Sequence, residues 1–222
     1  MKRLGSVAAA LIVLVALGGR DAQGQAFGFG VRGGLNYSTT SGVSDLDQVS
    51  GWKTGFHAGV VLSGDLHANV GLELDGLYTQ KGLKLTEDIG GSVLEGWLIP
   101  SYIEIPVLAR FRMPLGAVTP RILAGGSVAF ELSCKANAEV DGTTIIDNVD
   151  CDDPLIDLSD RKKTDWSLLG GVGVEIAAGP AVLFVDAMYD LGLANLDATG
   201  LDSVKNRTWM FSLGVQYRVG GM

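Results

Sequence analysis

Histidine, cysteine and proline are scarce in this chain, which has two histidines, two cysteines and six prolines among 222 residues. With so few ligand residues, the sequence contains no two-histidine or Cys-x-x-Cys metal signature. The prolines are too few, and a G-X-Y repeat is missing, so a collagen-like chain is excluded. Basic residues number 17 against 25 acidic ones, and the formal net charge is −8. Because a nucleic-acid partner requires a basic face, the sequence predicts no nucleic-acid partner. It also predicts no cofactor.

A hydrophobic run long enough to cross a bilayer as a helix is also missing, since about 20 apolar residues are needed. The N-terminal run covers only residues 7–17, follows Lys2 and Arg3, and ends in small residues before Gly24. This pattern predicts a secretory signal peptide over residues 1–24, with cleavage after Gly24 or, alternatively, after Ala26. An uncleaved N-terminal anchor is the other interpretation. The remaining residues, 25–222, are expected to form one domain.

What the chain does have is glycine, at about twice its usual share, and apolar residues at every second position. In the first such segment, Phe27, Phe29 and Val31 alternate with glycine or polar residues. Period-two alternation is typical of a strand with two unlike faces. It occurs in eight segments, at residues 27–37, 52–62, 70–78, 103–111, 122–130, 166–176, 183–189 and 209–217. We therefore expect eight strands.

The connections between these strands alternate between short and long. Short turns are predicted near residues 64–69, 114–120 and 177–180, and longer loops at 38–51, 82–98, 134–163 and 195–206. Outer-membrane barrels have short periplasmic turns and long outer loops, and they close without a free edge. The predicted fold is all-β, an eight-stranded antiparallel up-and-down transmembrane β-barrel. A soluble, lipocalin-like barrel with its apolar face inward has the same alternation and is the alternative.

Two features favour the membrane barrel. The polar face combines glycines with charges of both signs, as a narrow lumen of paired charges requires. The charged residues of this face are Arg32, Lys53, Glu73, Asp75, Glu104, Arg110, Arg112, Arg121, Glu131, Asp165, Glu175, Asp186, Asp190 and Arg218. The apolar faces carry an aromatic residue at the long-loop end, as expected of an interfacial girdle. These aromatic residues are Tyr37, Trp52, Tyr78, Trp97, Phe130, Trp166, Tyr189 and Trp209.

Three stretches resemble a known family. They are Leu72-Glu73-Leu74 with Gln80-Lys81-Gly82 after it, Tyr102-Ile103-Glu104-Ile105-Pro106, and Tyr189 with Gly192-Leu193-Ala194-Asn195 after it. From about Phe27 to Val219 the chain resembles the PorT-like outer-membrane β-barrel proteins, small barrels related to the OmpA and OmpX type. The resemblance implies the barrel fold and an outer-membrane location. The family's activities are mostly unassigned, so it implies no particular activity.

A catalytic site is not expected. An acyl hydrolase requires a nucleophilic serine with a histidine base near the outer rim. Of the two histidines, His57 is placed in mid-strand on the lumen face and His67 in a short turn. Structural or solvated roles fit these positions better than the role of a base.

The two cysteines, Cys134 and Cys151, fall in the same predicted loop. In an exported chain such an isolated pair predicts a disulfide. The loop is also acidic, with Asp141, Asp147, Asp150, Asp152, Asp153, Asp157 and Asp160. A solvated acidic loop is favoured over a cation site, because the spacing does not fit an EF-hand.

The sequence thus predicts a non-enzymatic outer-membrane barrel with a closed, salt-bridged lumen and a structural or surface-interaction role. A narrow channel for small solutes is the first alternative, and a periplasmic ligand-binding barrel the second. The expected partners are outer-membrane lipid, the barrel-assembly machinery during insertion, and an extracellular ligand or protein that meets the long loops.

Overall fold

The computed structural model describes residues 26–41, 50–156, 161–197 and 203–220. The predicted signal peptide, residues 1–24, lies outside these ranges. Ten strands occur in the described part: β1 (Phe27–Ser41), β2 (Ser50–His67), β3 (Val70–Gln80), β4 (Leu83–Ile89), β5 (Ser92–Arg112), β6 (Val118–Val140), β7 (Thr143–Asp150), β8 (Thr164–Ala178), β9 (Ala181–Gly192) and β10 (Lys205–Val219). Among these residues there is no helix with the length and apolar character needed to cross a membrane.

Eight of the strands form a closed antiparallel ring in the order β1-β2-β3-β5-β6-β8-β9-β10. The ring closes where β10 pairs with β1, from Phe27 opposite Val219 to Ser41 opposite Lys205. Since every wall strand has two neighbours, the ring leaves no free edge among these eight strands. The prediction of an eight-stranded antiparallel barrel is confirmed.

Apolar side chains cover the outside of the ring and charged side chains fill its inside. Leu213 and Val172 on the outer surface are 62% and 61% exposed, whereas Arg110 and Arg121 are 1% exposed inside. A soluble ligand-binding barrel has the opposite arrangement, with its apolar face inward. The outward apolar face therefore fits a lipid environment and contradicts the lipocalin-like alternative.

Two predicted loops are wrong in part, because they contain strands β4 and β7. With residues 92–100 of β5 and 133–140 of β6, these strands form a four-stranded extension, which we call the outer sheet, in the order β4-β5-β6-β7. Its hairpins turn at Gly90-Gly91 and Asp141-Gly142, where all four residues have positive φ. Two-residue turns with positive φ match the twist of the flanking strands, so they extend the barrel hairpins beyond the wall.

The other end of the barrel has only short connections. Strands β2 and β3 are separated by two residues, Ala68 and Asn69, and β8 and β9 by Gly179 and Pro180. The first and last wall residues, Phe27 and Val219, also lie at this end. We refer to it as the turn side and to the opposite end as the loop side.

Candidate functional site: the barrel interior and the outer sheet

Near the turn side, the barrel interior contains a cluster of paired charges, the turn-side cluster. Five arginines and five carboxylates make up this cluster: Arg32, Arg110, Arg112, Arg121, Arg218, Asp65, Glu73, Asp75, Glu175 and Asp186.

Arg121 occupies the middle of the turn-side cluster. It donates from Nε to Asp186 at 2.7 Å and from Nη1 to Glu175 at 3.1 Å. Its guanidinium lies 4.3 Å from the centre of the Phe184 ring, and that of Arg32 lies 5.1 Å from the same ring. Equal numbers of opposite charges allow burial without a net charge, which the interior would disfavour.

A second group, the loop-side cluster, consists of Lys81, Glu104, Asp165 and Asp190, and these residues are at most 1% exposed. Lys81 pairs with Asp190 and lies 3.2 Å from Glu104. Asn206 donates to Asp165 at 2.8 Å, and Ser127 donates to Glu104 at 2.7 Å. This cluster has one cation for three carboxyl groups, so it differs from the balanced turn-side cluster. Lys81, which directly follows the last residue of β3, Gln80, is not among the predicted lumen charges.

A layer of apolar side chains separates the two clusters. Along β9, Met188 lies between Asp186 of the turn-side cluster and Asp190 of the loop-side cluster, and Leu108 lies similarly on β5. The six residues of the layer are Leu77, Leu108, Leu123, Leu169, Met188 and Met210, each at most 3% exposed. The predicted polar interior is therefore divided into two charged levels, with apolar side chains from six strands packed between them.

Asn36, His57 and Ser212 form a hydrogen-bonded chain across the interior. His57 Nδ1 lies 2.8 Å from Asn36 Oδ1, and His57 Nε2 lies 2.8 Å from Ser212 Oγ. A serine, a histidine and an orienting group in this order can activate a nucleophile. Here Ser212 is 3% exposed, and Asn36 also donates to Thr79 Oγ1 at 2.7 Å. The described wall gives a substrate no access to Ser212, so the geometry supports a structural role for this chain of polar groups.

Of two further residues predicted for the lumen network, Glu131 lies at its loop-side end and Lys53 lies outside it. Glu131 accepts from Arg161 Nε at 3.1 Å at the loop-side rim, which ties the β7–β8 connection to β6. Lys53 lines a groove beside the outer sheet and has no ion pair within the described ranges. Both residues occupy positions on the polar face of their strands, but those strands continue beyond the closed part of the interior.

Seven of the eight aromatic residues predicted as a girdle lie on the barrel wall. Tyr37 stacks on Trp52 with ring centroids 4.8 Å apart, and Tyr189 packs against Trp209 at 4.9 Å. Trp97 is the exception: it pairs with Lys84 and Asn137 in the outer sheet, six residues before Ile103 of β5, which pairs with Tyr78. Trp97 falls in the segment 82–98, which is predicted as a loop but contains β4 and the start of β5.

The predicted disulfide between Cys134 and Cys151 is present, with Cα atoms 5.4 Å apart. It does not cross an irregular loop, however. Cys134 lies within β6 and Cys151 follows β7, and Cys151 N donates to Cys134 O at 3.1 Å. The bridge therefore closes the base of the β6–β7 hairpin and braces the outer sheet.

The acidic residues of this region make individual contacts. Asp152 accepts from Lys163 at 2.8 Å and from Arg161 at 2.5 Å, and these bonds lower the pKa of its carboxyl group. Asp141 accepts from the backbone N–H of Val93 at 2.8 Å, which lowers its pKa. The described acidic residues form no cluster that could hold a metal ion. Asp157 and Asp160 lie outside the described residues.

A groove of about 290 Å³ lies between Lys53 and one face of the outer sheet. Its lining includes Trp97, Ile99, Asn137, Glu139 and Asp147. Since directly paired residues share a face, Trp97 and Asn137 stand side by side across β5 and β6. The lining of this groove consists mainly of polar side chains.

Comparison with known proteins gives one family. The model of a family described as "Outer membrane protein beta-barrel domain" matches residues 21–198. No curated protein matches the chain.

Solved structures with a similar fold include neisserial surface protein A, which is 16% identical (TM-score 0.43, covering 85% of this chain and 96% of that one). Ail of Yersinia pestis, solved with the heparin analogue sucrose octasulfate, is 20% identical (TM-score 0.41, covering 89% and 99%). Outer membrane protein W of E. coli is 17% identical (TM-score 0.44, covering 90% and 100%).

Proposed function

Because the chain belongs to the outer membrane protein beta-barrel domain family, we propose that it is a closed, non-enzymatic barrel that acts through its outer sheet at the cell surface. The barrel anchors the protein in the outer membrane. The outer sheet is the part that meets other molecules.

The observation that carries this proposal is the apolar layer. Six apolar side chains pack at the level between the two charged clusters, and the polar side chains at the same level, Asn36, His57 and Ser212, are bonded to one another and buried. A channel for small solutes requires an open, water-accessible path, whereas these side chains are all at most 3% exposed. Catalysis by the Ser212–His57 pair requires access that the same packing prevents. The function therefore lies outside the lumen.

The outer sheet is the largest structured element beyond the wall. Outer-membrane barrels place short turns in the periplasm and longer loops outside, so the outer sheet faces the cell exterior. The disulfide suits that side, because exported proteins keep disulfides in oxidising compartments. A braced, solvent-exposed sheet fits a surface-interaction role.

The proposal includes the export of the chain. Residues 1–24 act as a signal peptide, and residues 25–222 form the mature barrel, which the barrel-assembly machinery inserts. Within the broader family the stretches Ile103-Glu104-Ile105-Pro106 and Gly192-Leu193-Ala194-Asn195 support a PorT-like subgroup.

Two measurements test the proposal. A purified barrel in planar bilayers is expected to show no steady opening events, and regular openings above background would favour the channel instead.

An epitope tag inserted at Gly91, the tip of the β4–β5 hairpin, is expected to bind antibody on intact cells. The matched control is the same tag at Gly116 in a short turn, because both glycines have positive φ and free space around them. Staining of the Gly116 tag but not the Gly91 tag on intact cells would reverse the orientation.

A further inference from the structure

We propose that the groove between Lys53 and the outer sheet binds a saccharide ring that carries no acidic group, stacked against Trp97. The proposal rests on the surface role proposed above and names the class of ligand. Its basis is the combination of an aromatic side chain, unpaired hydrogen-bonding groups and charge in a space of about 290 Å³.

The size of the groove limits the ligand. Pockets for drug-sized molecules begin at about 300 Å³, so this groove suits a single ring rather than a folded peptide. Because the groove is open along one side, such a ring can belong to a longer chain that continues into solvent.

The aromatic side chain is held in place before a ligand arrives. Lys84 Nζ lies 5.5 Å from the centre of the Trp97 ring, and Glu95 holds that ammonium group at 2.6 Å. The negative face of an indole attracts the polarised C–H groups on the face of a sugar ring, which carry partial positive charge. Fixing the ring in advance lowers the entropy cost of binding.

The polar groups of the groove offer both donors and acceptors. Asn148 N donates to Asn137 Oδ1 at 2.6 Å, so the amide of Asn137 is oriented and its Nδ2 donors have no partner in the described chain. Lys53 likewise has no partner there. Glu139 accepts only a long bond of 3.5 Å from Thr144, so its carboxylate retains acceptor capacity. Sugar hydroxyls donate and accept at once, and they match such a mixed set.

The charge of the groove selects among sugars. Glu139 and Asp147 carry two negative charges against the single positive charge of Lys53, so an acidic or sulfated sugar is repelled. A bare metal ion does not fit either, because Lys53 faces the same space and the described acidic residues form no metal-binding group. Neutral sugars and amino sugars remain.

The test uses the full-length barrel in a detergent without a sugar headgroup, because glycosidic detergents would compete for the groove. Saturation-transfer NMR and tryptophan fluorescence are measured with glucose, N-acetylglucosamine, glucosamine and glucuronate. We expect saturable binding of the first three, with dissociation constants on the order of 1 mM, and the weakest binding for glucuronate.

Two variants locate the site. Trp97→Ala is expected to weaken binding at least tenfold and Asn137→Ala at least threefold. The matched control is Trp166→Ala, which removes a 59% exposed tryptophan from the wall, away from the groove, and is expected to bind like the parent. Folding of each variant is checked by heat-modifiable migration on gels.

Three results would overturn the proposal: no saturable binding by the folded parent, unchanged binding by Trp97→Ala, or strongest binding of glucuronate.

A second arm separates the sources of the sugar. In nanodiscs that contain lipopolysaccharide, binding of the free sugar to the barrel is blocked when the natural ligand is a glycolipid headgroup of the same membrane. Binding of the free sugar is unaffected when the natural ligand is soluble. Either source supports a saccharide site. These readouts do not depend on bilayer conductance or on tag accessibility, so failure here is distinct from failure of the surface role.

Discussion

Lys81 and Asp190 form an ion pair inside the barrel although 109 positions separate them in the sequence. Both side chains are completely buried, and Glu104 lies 3.2 Å from the same ammonium group. Lys81 is the one cation of the loop-side cluster. The stability of the cluster therefore depends on this residue more than on any single carboxylate.

Replacing Lys81 by methionine is expected to destabilise the barrel by about 3–5 kcal/mol, because it leaves buried carboxylates without a counter-charge. Glu104→Gln is the matched variant. It removes an excess negative charge and keeps an acceptor for Ser127, so it is expected to cost less than about 1 kcal/mol or to stabilise. Urea unfolding in lipid vesicles measures both. Equal losses for the two variants would show that the charge imbalance has no energetic consequence.

Leu213 tests which surface faces lipid. It lies on the outside of β10, opposite Gly33 and Val185. Leu213→Arg is expected to cost about 2–4 kcal/mol, because a charge near the bilayer midplane must leave water. Leu155→Arg, in the connection after β7 and 71% exposed, is expected to change stability by less than about 0.5 kcal/mol. Equal stability of the Leu213→Arg variant and the parent in bilayers would contradict the outward assignment of the apolar face.

The eight wall strands could be predicted because lipid and lumen impose unlike environments on alternate residues. That contrast is strong in segments such as Trp209-Met210-Phe211-Ser212-Leu213. The outer sheet contacts water on much of its surface, so β4 and β7 lack the same contrast and were predicted as loops. Their hairpin turns were nevertheless visible: Gly90-Gly91 and Asp141-Gly142 are pairs that favour two-residue hairpins.

The interior was predictable in composition but not in arrangement. Residues 73, 75 and 79 lie on one face of β3, and residue 81, directly after the strand, continues the same alternation. Extending the predicted strand by three residues therefore places Lys81 in the lumen. The partners of each charge depend on the stagger between strands, which the sequence of one strand does not specify. The apolar layer could not be predicted for the same reason, because the stagger between strands decides whether Leu108 of β5 and Met188 of β9 lie at the same level of the interior.

Asp152 gives the outer region a dependence on pH. Hydrogen bonds from Lys163 and Arg161 hold the pKa of Asp152 below its ordinary value of 3.8. A group whose pKa is lower in the folded state stabilises the fold above its unfolded pKa, and this contribution is lost as the pH falls through the folded pKa. The contacts of Asp152 are thus expected to be intact at neutral pH and to break only below pH 3.8.

An NMR titration of the Asp152 carboxyl group, together with amide exchange at Lys163, measures this transition. Asp152→Asn is expected to remove the pH dependence at Lys163 in this range. A midpoint for Asp152 above 3.8 would contradict the hydrogen-bonding pattern.

The disulfide is expected to order the outer sheet without supporting the barrel wall. The wall strands are held by their own ladders, so Cys134→Ser combined with Cys151→Ser is expected to give an inserted, heat-modifiable barrel. Closing a segment with a sequence separation of 17 contributes about 3 kcal/mol, here to the local stability of the β6–β7 hairpin. Loss of that brace is expected to expose residues 135–150 to protease and to speed amide exchange in β7, while exchange in β9 and β10 stays unchanged.

The parent with its disulfide intact is the control, and labelling of both cysteines by a thiol reagent in unreduced outer membranes would contradict the bridge itself. If the double variant instead failed to insert, the cysteines would serve assembly of the barrel rather than order in the outer sheet.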